Sequence, residues 1–215
     1  MMHALISDRG RERLVELLGD QGINDVFVLD AFRRVPRHVF VDPAVRDSAY
    51  LDVTLPLGYQ QTLSQPSVVA RMLEIVRGGR PLRRVLEIGA GSGFQTALLC
   101  FLAEQVFAIE RIGPLAKAAR ARLDVLELEN AVIKHGDGLL GWSDFAPFDA
   151  IIMAACPEQV PDAVLDQLAI GGRLIAPVGR GTVQSLTLFQ REAEDVVIER
   201  VVDEAFFVPA LGGVA

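Results

Sequence analysis

The sequence predicts an α/β fold in which a doubly wound, mostly parallel sheet carries helices on both faces. Three observations point there. VLEIGAGSGF (residues 85–94) reads as a buried strand, a glycine turn and a helix start, the first half of a βαβ unit. Further apolar runs follow at VFAIE (106–110), AVIKHGDG (131–138) and FDAIIMAACPEQVP (148–161). The first three runs end in Glu87, Glu110 and Asp137, one acidic residue each, along the carboxyl edge where open α/β sheets bind ligands.

Ahead of that core, residues 9–19 place Leu14, Leu17 and Leu18 on one face of a charged helix that Gly19 helps to end. VFVLDAFRRV forms a second helix, N-capped by Asn24 or Asp25 and stopped by Pro36. PRHVFVDP (36–43) reads as a turn and a short extended piece. Residues 1–80 precede the first sheet strand, so they form a helical appendage with an active-site loop, and 81–215 form the core of one compact domain. Within the appendage, Gln60, Gln61, Thr62, Ser64 and Gln65 bunch immediately before Pro66 and a helix whose face is Val69, Met72, Leu73 and Val76. Pro66 suits a first helical position. Two readings of the cluster stand: Ser64 or Gln65 caps the helix, or the hydroxyls and amides point at a reacting group.

After the fourth strand, whose end is small-residued at Ala154, Ala155 and Cys156, AVLDQLAI (163–170) reads as a helix. GGRLIAPVG (171–179) is a glycine break and a fifth strand. SLTLFQRE (185–192) and VVIERVVDEAFFVP (196–209) form a closing hairpin with its loop around residues 192–195, and the terminal LGGVA is expected to fray.

The glycine turn runs G-x-G-x-G, with Phe94 where a dinucleotide fingerprint would carry its last glycine. Glu87, two residues before the first glycine, is awkward beside phosphate and suits a ligand bearing a positive amine or sulfonium. S-adenosylmethionine has both and no phosphate. Glu110 is placed to accept from the ribose hydroxyls, and Asp137 to face the adenine amino group. Together they favour a methyltransferase. Its fourth strand lacks the Asn/Asp-Pro-Pro-aromatic end of methylases that act on base amino groups; small residues there leave room for a bulky acceptor such as a peptide.

Composition narrows the partners. With 28 acidic against 21 basic residues, a net charge of −7 and no basic run, nucleic acid is disfavoured. Arg33, Arg34 and Arg37, and Arg77, Arg80, Arg83 and Arg84, read as solvated faces. No uncharged apolar run reaches the length of about 18 residues that a membrane span needs. Asp8, Arg9, Arg11, Glu12 and Arg13 interrupt any signal-peptide core, so the cytoplasm is expected. Cys100 and Cys156 show neither disulfide nor zinc spacing, no metal is expected, and Cys156 reads as a small buried filler. His3, His38 and His135 read as structural or exposed.

VPRHVFVDP, QTLSQPSVVARMLE, VLEIGAGSGFQTALL, VFAIERI, HGDG, APFDAIIMAACPEQVPDAVLDQL, GGRLIAPVG and FVPAL occur in this order. Over nearly the whole chain, residues 10–211, this resembles the protein-L-isoaspartate (D-aspartate) O-methyltransferases, and QTLSQP is the family-specific segment. The resemblance implies a Rossmann-like, seven-stranded methyltransferase sheet. It implies S-adenosylmethionine as donor, S-adenosylhomocysteine as product, and isoaspartyl, with D-aspartyl, sites of damaged proteins and peptides as acceptors. The family's active-site serine falls on Ser64; the neighbouring Thr62 hydroxyl reads, from the residues alone, as a second group to hold the acceptor carboxylate. Donor contacts fall on Leu63, Ser64, Glu87, Gly89, Gly91, Gly93, Glu110, Asp137 and Gly138, and acceptor contacts on Gln61, Ala155, Val178 and Val208. A monomer is expected.

The chain departs from the family at Gln60, usually glycine, and at Cys156 and Met153. If position 60 takes a positive φ, Gln60 is strained by about 1 kcal/mol or more. An isoaspartyl site exposes an α-carboxylate with a pKa of about 3.5. It is therefore ionised at neutral pH and needs no general base, only alignment. The competing readings are a related carboxyl methyltransferase with a specialised peptide or natural-product acceptor, and a non-catalytic cofactor-binding paralogue.

Overall fold

The computed structural model describes residues 2–215, with side chains from residue 8 onward; the side chain of His3 lies outside the described residues. Helix α1 (Met2–Asp20) ends in a turn at Gly22, and α2 (Val26–Arg34) is capped by Asp25, whose carboxylate accepts from the Phe27 amide at 3.0 Å. The stretch expected to be extended after Pro36 instead coils into a 3-10 turn, Arg37–Phe40, which drives both Arg37 and Phe40 inward.

Next comes a hairpin that hydropathy alone does not reveal: β1 (Leu55–Gly58) pairs antiparallel with β2 (Gln61–Leu63). Its two-residue loop is Tyr59–Gln60, with φ of 51° and 58°. A two-residue loop with both central φ angles positive is the type I′ geometry, which matches the twist of the flanking strands and ordinarily takes Asn-Gly. The family departure at Gln60 therefore sits on a left-handed backbone. Helix α3 (Pro66–Arg77) follows, buries Val69, Met72, Leu73 and Val76, and ends on left-handed Gly78. Glu74 of α3 accepts the Asn24 and Asp25 amides at 2.7 and 2.8 Å, and Arg77 pairs with Asp25, so α2 and α3 are bolted together. Arg77 is thus buried rather than part of a solvated face, and its guanidinium lies 4.3 Å from the Phe27 ring centroid.

The core alternates as expected: β3 (Leu82–Ile88), α4 (Phe94–Cys100), β4 (Ala103–Glu110), α5 (Gly113–Val125), β5 (Ala131–His135) and β6 (Phe148–Met153). The helix expected over 163–170 is only one turn, α6 (Asp162–Leu165). From Leu168 the chain already runs as β7 (Leu168–Val178). Leu168 pairs with Phe148 and Arg173 with Ala150, so the Gly171–Gly172 break is an irregularity inside one strand. Strands β8 (Gln184–Ala193) and β9 (Val196–Ala205) close the sheet as the expected hairpin.

The seven strands lie in the order β5-β4-β3-β6-β7-β8-β9, parallel from β5 to β7 and antiparallel beyond. The chain winds outward through β3, β4 and β5, then returns to β6 on the other side of β3. That reversal opens a crevice at the carboxyl ends of β3 and β6. Along β3 the side chains alternate. Leu86 and Ile88 join Phe107, Ile151 and Leu174 on one face; Val85 packs into the cluster that contains the appendage and α3, α4 and α5. Glu87 shares the face of Val85, which is why a carboxyl is forced into the interior.

The last residues do not fray. The Gly213 amide donates to Asp137 Oδ2 at 2.6 Å, the Ala215 amide to the Arg111 carbonyl at 2.7 Å, and Ala215 accepts from Gly113 at 2.7 Å. Among the described residues no helix is long and apolar enough to cross a membrane, and no group of three metal-ligating side chains comes together.

Tyr59→Asn combined with Gln60→Gly supplies the residues a type I′ turn prefers. It is expected to stabilise the protein by about 1 kcal/mol, read as a rise in the urea midpoint at unchanged slope. A lowered midpoint would show that the tip is held by contacts that outweigh its backbone strain.

Candidate active site

A cleft opens at the carboxyl ends of β3 and β4. Its floor is the turn after β3, where Gly89 and Gly91 take φ of 93° and 54°. The Gly89 amide donates to the Ile109 carbonyl at 2.8 Å, and the Gly91 amide to Glu110 Oε2 at 2.7 Å, which ties the turn to the end of β4. A side chain at Gly91 would combine a strained backbone with contact on Leu57 of the hairpin at 3.4 Å. Glu110 also accepts the Ile112 amide at 2.8 Å through Oε1, so both its oxygens are fixed at the cleft wall.

Glu87 borders the same cleft with no surface open to water. Its Oε2 meets Thr96 Oγ1 at 2.5 Å, while Oε1 has no hydrogen-bond partner among the described residues. Burial pushes this carboxyl up to about 8; hydrogen bonding from Thr96 and the amide of Gln95 opposes the shift, and nearby Glu110 adds to it. The Gln95 Nε2 is likewise buried on the cleft, close enough to Glu87 to oppose that shift though outside ordinary hydrogen-bond geometry.

The opposite wall is the hairpin. Leu57, Gln61, Thr62, Leu63 and Ser64 all line the cleft. Ser64 does not cap α3: the cap position is Gln65, and the helix start is held from outside by Asp52. Asp52 Oδ1 accepts the Ser67 amide at 2.8 Å and Oδ2 accepts Gln65 Nε2 at 3.0 Å. Burial alone would raise this carboxylate, but hydrogen bonds from Gln65, Ser67 and Gln21 outweigh it and hold it below its ordinary value. With capping done by Asp52, the Ser64 hydroxyl is left to the cleft.

What fixes Ser64 is Arg37, read from sequence as part of a solvated face and in fact 1% exposed. Its guanidinium donates to the Ser64 carbonyl at 2.9 Å and the Ala49 carbonyl at 2.9 Å, and reaches those of Leu51 and Val53 at 3.4 and 3.3 Å. Its Cζ lies 5.5 Å from the Phe94 ring centroid, beside the start of α4. Burial lowers its pKa to about 10, still far above neutrality, so the cation persists.

Of the residues expected to hold donor and acceptor, the cleft gathers Gln61, Thr62, Leu63, Ser64, Glu87, Gly89, Gly91, Glu110, Gly138, Ala155 and Val208. Gly93, Asp137 and Val178 are not among its lining residues. Gly93 has φ of 88° at the start of α4, close against Ala119, and Asp137 accepts the Leu139 and Gly213 amides. Gly138 has its own constraint, since a Cβ there would come within 2.4 Å of Ile88. Sequence reasoning missed Gln95, Ser92, Arg111 and, beyond Val208, the returning residues Pro209, Ala210 and Leu211. Gln95 was findable: it is a polar residue in the buried first turn of α4. Cys156 is a packing residue. Its thiol donates to the carbonyls of Gly179 and Pro157 at 3.4 and 3.5 Å, and burial raises its pKa. His38 meets the Tyr50 hydroxyl at 2.7 Å and His135 the Arg111 carbonyl at 3.1 Å; neither imidazole is among the cleft-lining residues.

Residues 9–215 match the family profile described as protein-L-isoaspartate(D-aspartate) O-methyltransferase (PCMT). The chain belongs to this family. A family member from Burkholderia ambifaria, named protein-L-isoaspartate O-methyltransferase, is 52% identical over 213 residues, 98% of this chain and 69% of that protein. One of the same name from Pseudomonas aeruginosa is 49% identical over 209 residues, 97% of this chain and 99% of that protein. Among solved structures, a protein-L-isoaspartate O-methyltransferase superposes with a TM-score of 0.84 at 30% identity, over 95% of this chain and 67% of that one. The Plasmodium falciparum PCMT, crystallised with S-adenosyl-L-homocysteine, shares the fold with a TM-score of 0.79 at 22% identity, over 94% of this chain and 98% of that one.

Arg37→Met leaves buried carbonyls without donors, at about 1–3 kcal/mol for each strong bond lost. The variant is expected to unfold at lower urea and to lose methyl transfer, and Arg37→Lys to restore little, because an ammonium cannot span the same fork. Full activity in Arg37→Lys would mean that the charge alone, not the fork geometry, places Ser64.

Proposed function

We propose that this chain is an S-adenosylmethionine-dependent carboxyl methyltransferase. It esterifies the free α-carboxylate of L-isoaspartyl residues, and the side-chain carboxylate of D-aspartyl residues, in damaged proteins and peptides. The observation that carries the reading is one cleft with two unlike walls. One is the glycine turn with Glu87 and Glu110; the other is a hydroxyl-bearing segment, Thr62–Ser64, clamped from behind by Arg37.

The residues fit the donor. Gly89 and Gly91 leave the backbone bare, Glu110 is oriented by two amides, and Glu87 Oε1 and Gln95 Nε2 lack partners that a zwitterionic ligand can supply. When bound, S-adenosylmethionine supplies a methyl group activated on a sulfonium and leaves as S-adenosylhomocysteine; no metal enters the reading. Gly138 lines the adenosine end, and Asp137 beside it shapes the turn, with its carboxylate as the group nearest in sequence for the adenine amine. Gly93 acts on this end by packing α4.

The chain's own work is alignment. The acceptor carboxylate arrives ionised, which is why no histidine is needed at the cleft. Ser64 Oγ, with Thr62 Oγ1, donates to one carboxylate oxygen and aims the other. Gln61, Ala155 and Val208 hold the peptide at the mouth, with Val178 at the end of β7. Leu57, Leu63, Val69 and Phe94 strip water from the attacking oxygen. Fixing two reactants in line lowers the barrier by several kcal/mol without any covalent intermediate. The neutral ester then cyclises to a succinimide, as in the family this chain resembles.

In this reading residues 1–80 serve as the clamp and acceptor wall on a core of 81–215, and the enzyme acts as a cytoplasmic monomer. The alternative, a specialised peptide or natural-product carboxylate, draws on the left-handed Tyr59–Gln60 tip beside the cleft.

The test is a paired assay with isoaspartyl and normal-aspartyl peptides of one sequence. Base-labile methyl esters are expected on the first and none on the second; equal labelling of both would end the repair reading. Ser64→Ala removes a hydrogen bond to a charged group, at about 1.5–3 kcal/mol, so kcat/KM should fall about 10- to 150-fold.

A further inference from the structure

A second groove, about 450 Å³ in volume, lies beside the cleft. Ser67, Val68 and Arg71 of α3 form one wall, Leu186, Asp203 and Glu204 the other, and the turn between α1 and α2 a third side. The two depressions share their walls. The first turn of α3 presents Val69 to the cleft and Ser67 and Val68 to the groove. On the opposite wall Val208 lines the cleft, and Glu204, a few residues earlier, lines the groove.

The backbone marks the path between them. β9 ends at Ala205, and by Val208 the chain has reached the end of β6, where the Cys156 amide donates to the Val208 carbonyl at 2.8 Å and Pro209 bridges Cys156. With the strands in the order β6-β7-β8-β9, residues 206–208 cross the edge of the sheet over β8 and β7. Glycine turn, acceptor wall and groove therefore fall in line along one edge. The groove lies two to three strand spacings of about 4.8 Å from β6, so an extended chain with its carboxylate at Ser64 meets it about three or four residues on.

The surface along this path has two properties that suit a polypeptide. Between cleft and groove, Phe206 is 69% exposed although Ala205 before it is buried. Aromatic rings are the usual anchors of protein interfaces. In the groove itself, negative charge is left over. Neither Asp203 nor Glu204 forms an ion pair among the described residues. Asp203 Oδ1 accepts only the Glu204 amide, at 2.9 Å, and Arg71 across the groove is already bonded to Glu74 Oε2 at 3.2 Å.

We propose that the acceptor polypeptide leaves the cleft over Phe206 and enters this groove, where Asp203 and Glu204 favour a basic side chain about three or four residues from the isoaspartate. Phe206 packs an apolar side chain that lies between the two. The enzyme's choice among isoaspartyl sites is then a matter of flanking sequence, settled in binding rather than in methyl transfer. The inference rests on the acceptor assigned above and adds to it a direction and a charge preference.

Methylation kinetics on isoaspartyl peptides of one sequence test it. Each peptide carries a single Lys or a single Glu at one position, from about two to about five residues to either side of the isoaspartate. At a position about three or four residues away, the Lys peptide should show a KM about fivefold below that of its Glu counterpart, with kcat equal. The gap should close at high salt. Asp203→Asn combined with Glu204→Gln should bring the KM ratio to about one, and Asp203→Lys combined with Glu204→Lys should invert it. Each ratio compares two peptides on one enzyme, so a loss of folded protein cancels. Phe206→Ser should erase a preference for leucine over serine at the position between; a preference that survives would overturn the part given to that ring. No position with a Lys preference, or one that persists after the double charge reversal, would overturn the proposal while methyl transfer to isoaspartyl peptides stands. Transfer to none of the peptides would instead end the acceptor reading.

Discussion

A buried guanidinium with no carboxylate in ion-pair contact among the described residues is an expensive object, and the structure is arranged around supplying it with acceptors. Arg37 exchanges water for backbone carbonyls drawn from two separate stretches, residues 49–53 and the segment leading into α3. Charged hydrogen bonds of this kind are about twice as strong as neutral ones. They also act at a distance, because the carbonyl of Ser64 is fixed while its hydroxyl stays free for chemistry. The 3-10 turn after Pro36 exists to deliver this side chain, and the ring of Phe94 beneath it joins the clamp to the first turn of α4. Donor floor and acceptor wall, far apart in sequence, are thereby held in one geometry.

Around that clamp the polar duties are divided with little redundancy. Asp52 caps α3 so that Ser64 need not. Glu110 locks the glycine turn, Asp137 holds a short 3-10 turn and the returning end of the chain, and Asp25 and Glu74 join the two helices of the appendage. Each of these carboxylates is matched to amides or a guanidinium; Glu87 is not. Glu87 is driven inward by the alternation of β3 and finds only a hydroxyl for one of its oxygens. The other oxygen has no partner among the described residues, and it lies at the cleft. A site that must take up a cationic cofactor gains from that shortage, since the interaction is strongest where water cannot compete.

How much of this was legible beforehand depends on range. The apolar runs around Val85, Val106 and Ile151 gave the parallel core, and the acidic residues at their ends gave the cleft its edge, because strand periodicity and glycine turns are properties of neighbours in sequence. The errors share a cause. Leu168–Ile170 looked helical and became strand because Phe148 offers a pairing partner that local pattern cannot announce. The terminal glycines looked loose but meet Asp137 and Arg111 across the sheet edge. Gln60 was recognised as a departure, and its left-handed backbone followed only once Gly58 paired with Gln61 to close the hairpin.

The sequence by itself determined the α/β winding, the position of the ligand crevice and, through QTLSQP and the glycine turn, the chemistry to look for; each rests on residues within one element or its turn. Tertiary structure alone decided which arginine is buried, which residue caps α3, and which carboxyl is left short of a partner. Those outcomes depend on how segments 12 to 30 residues apart or more meet in space, where desolvation and hydrogen-bond supply are settled jointly and no single stretch of chain carries the answer.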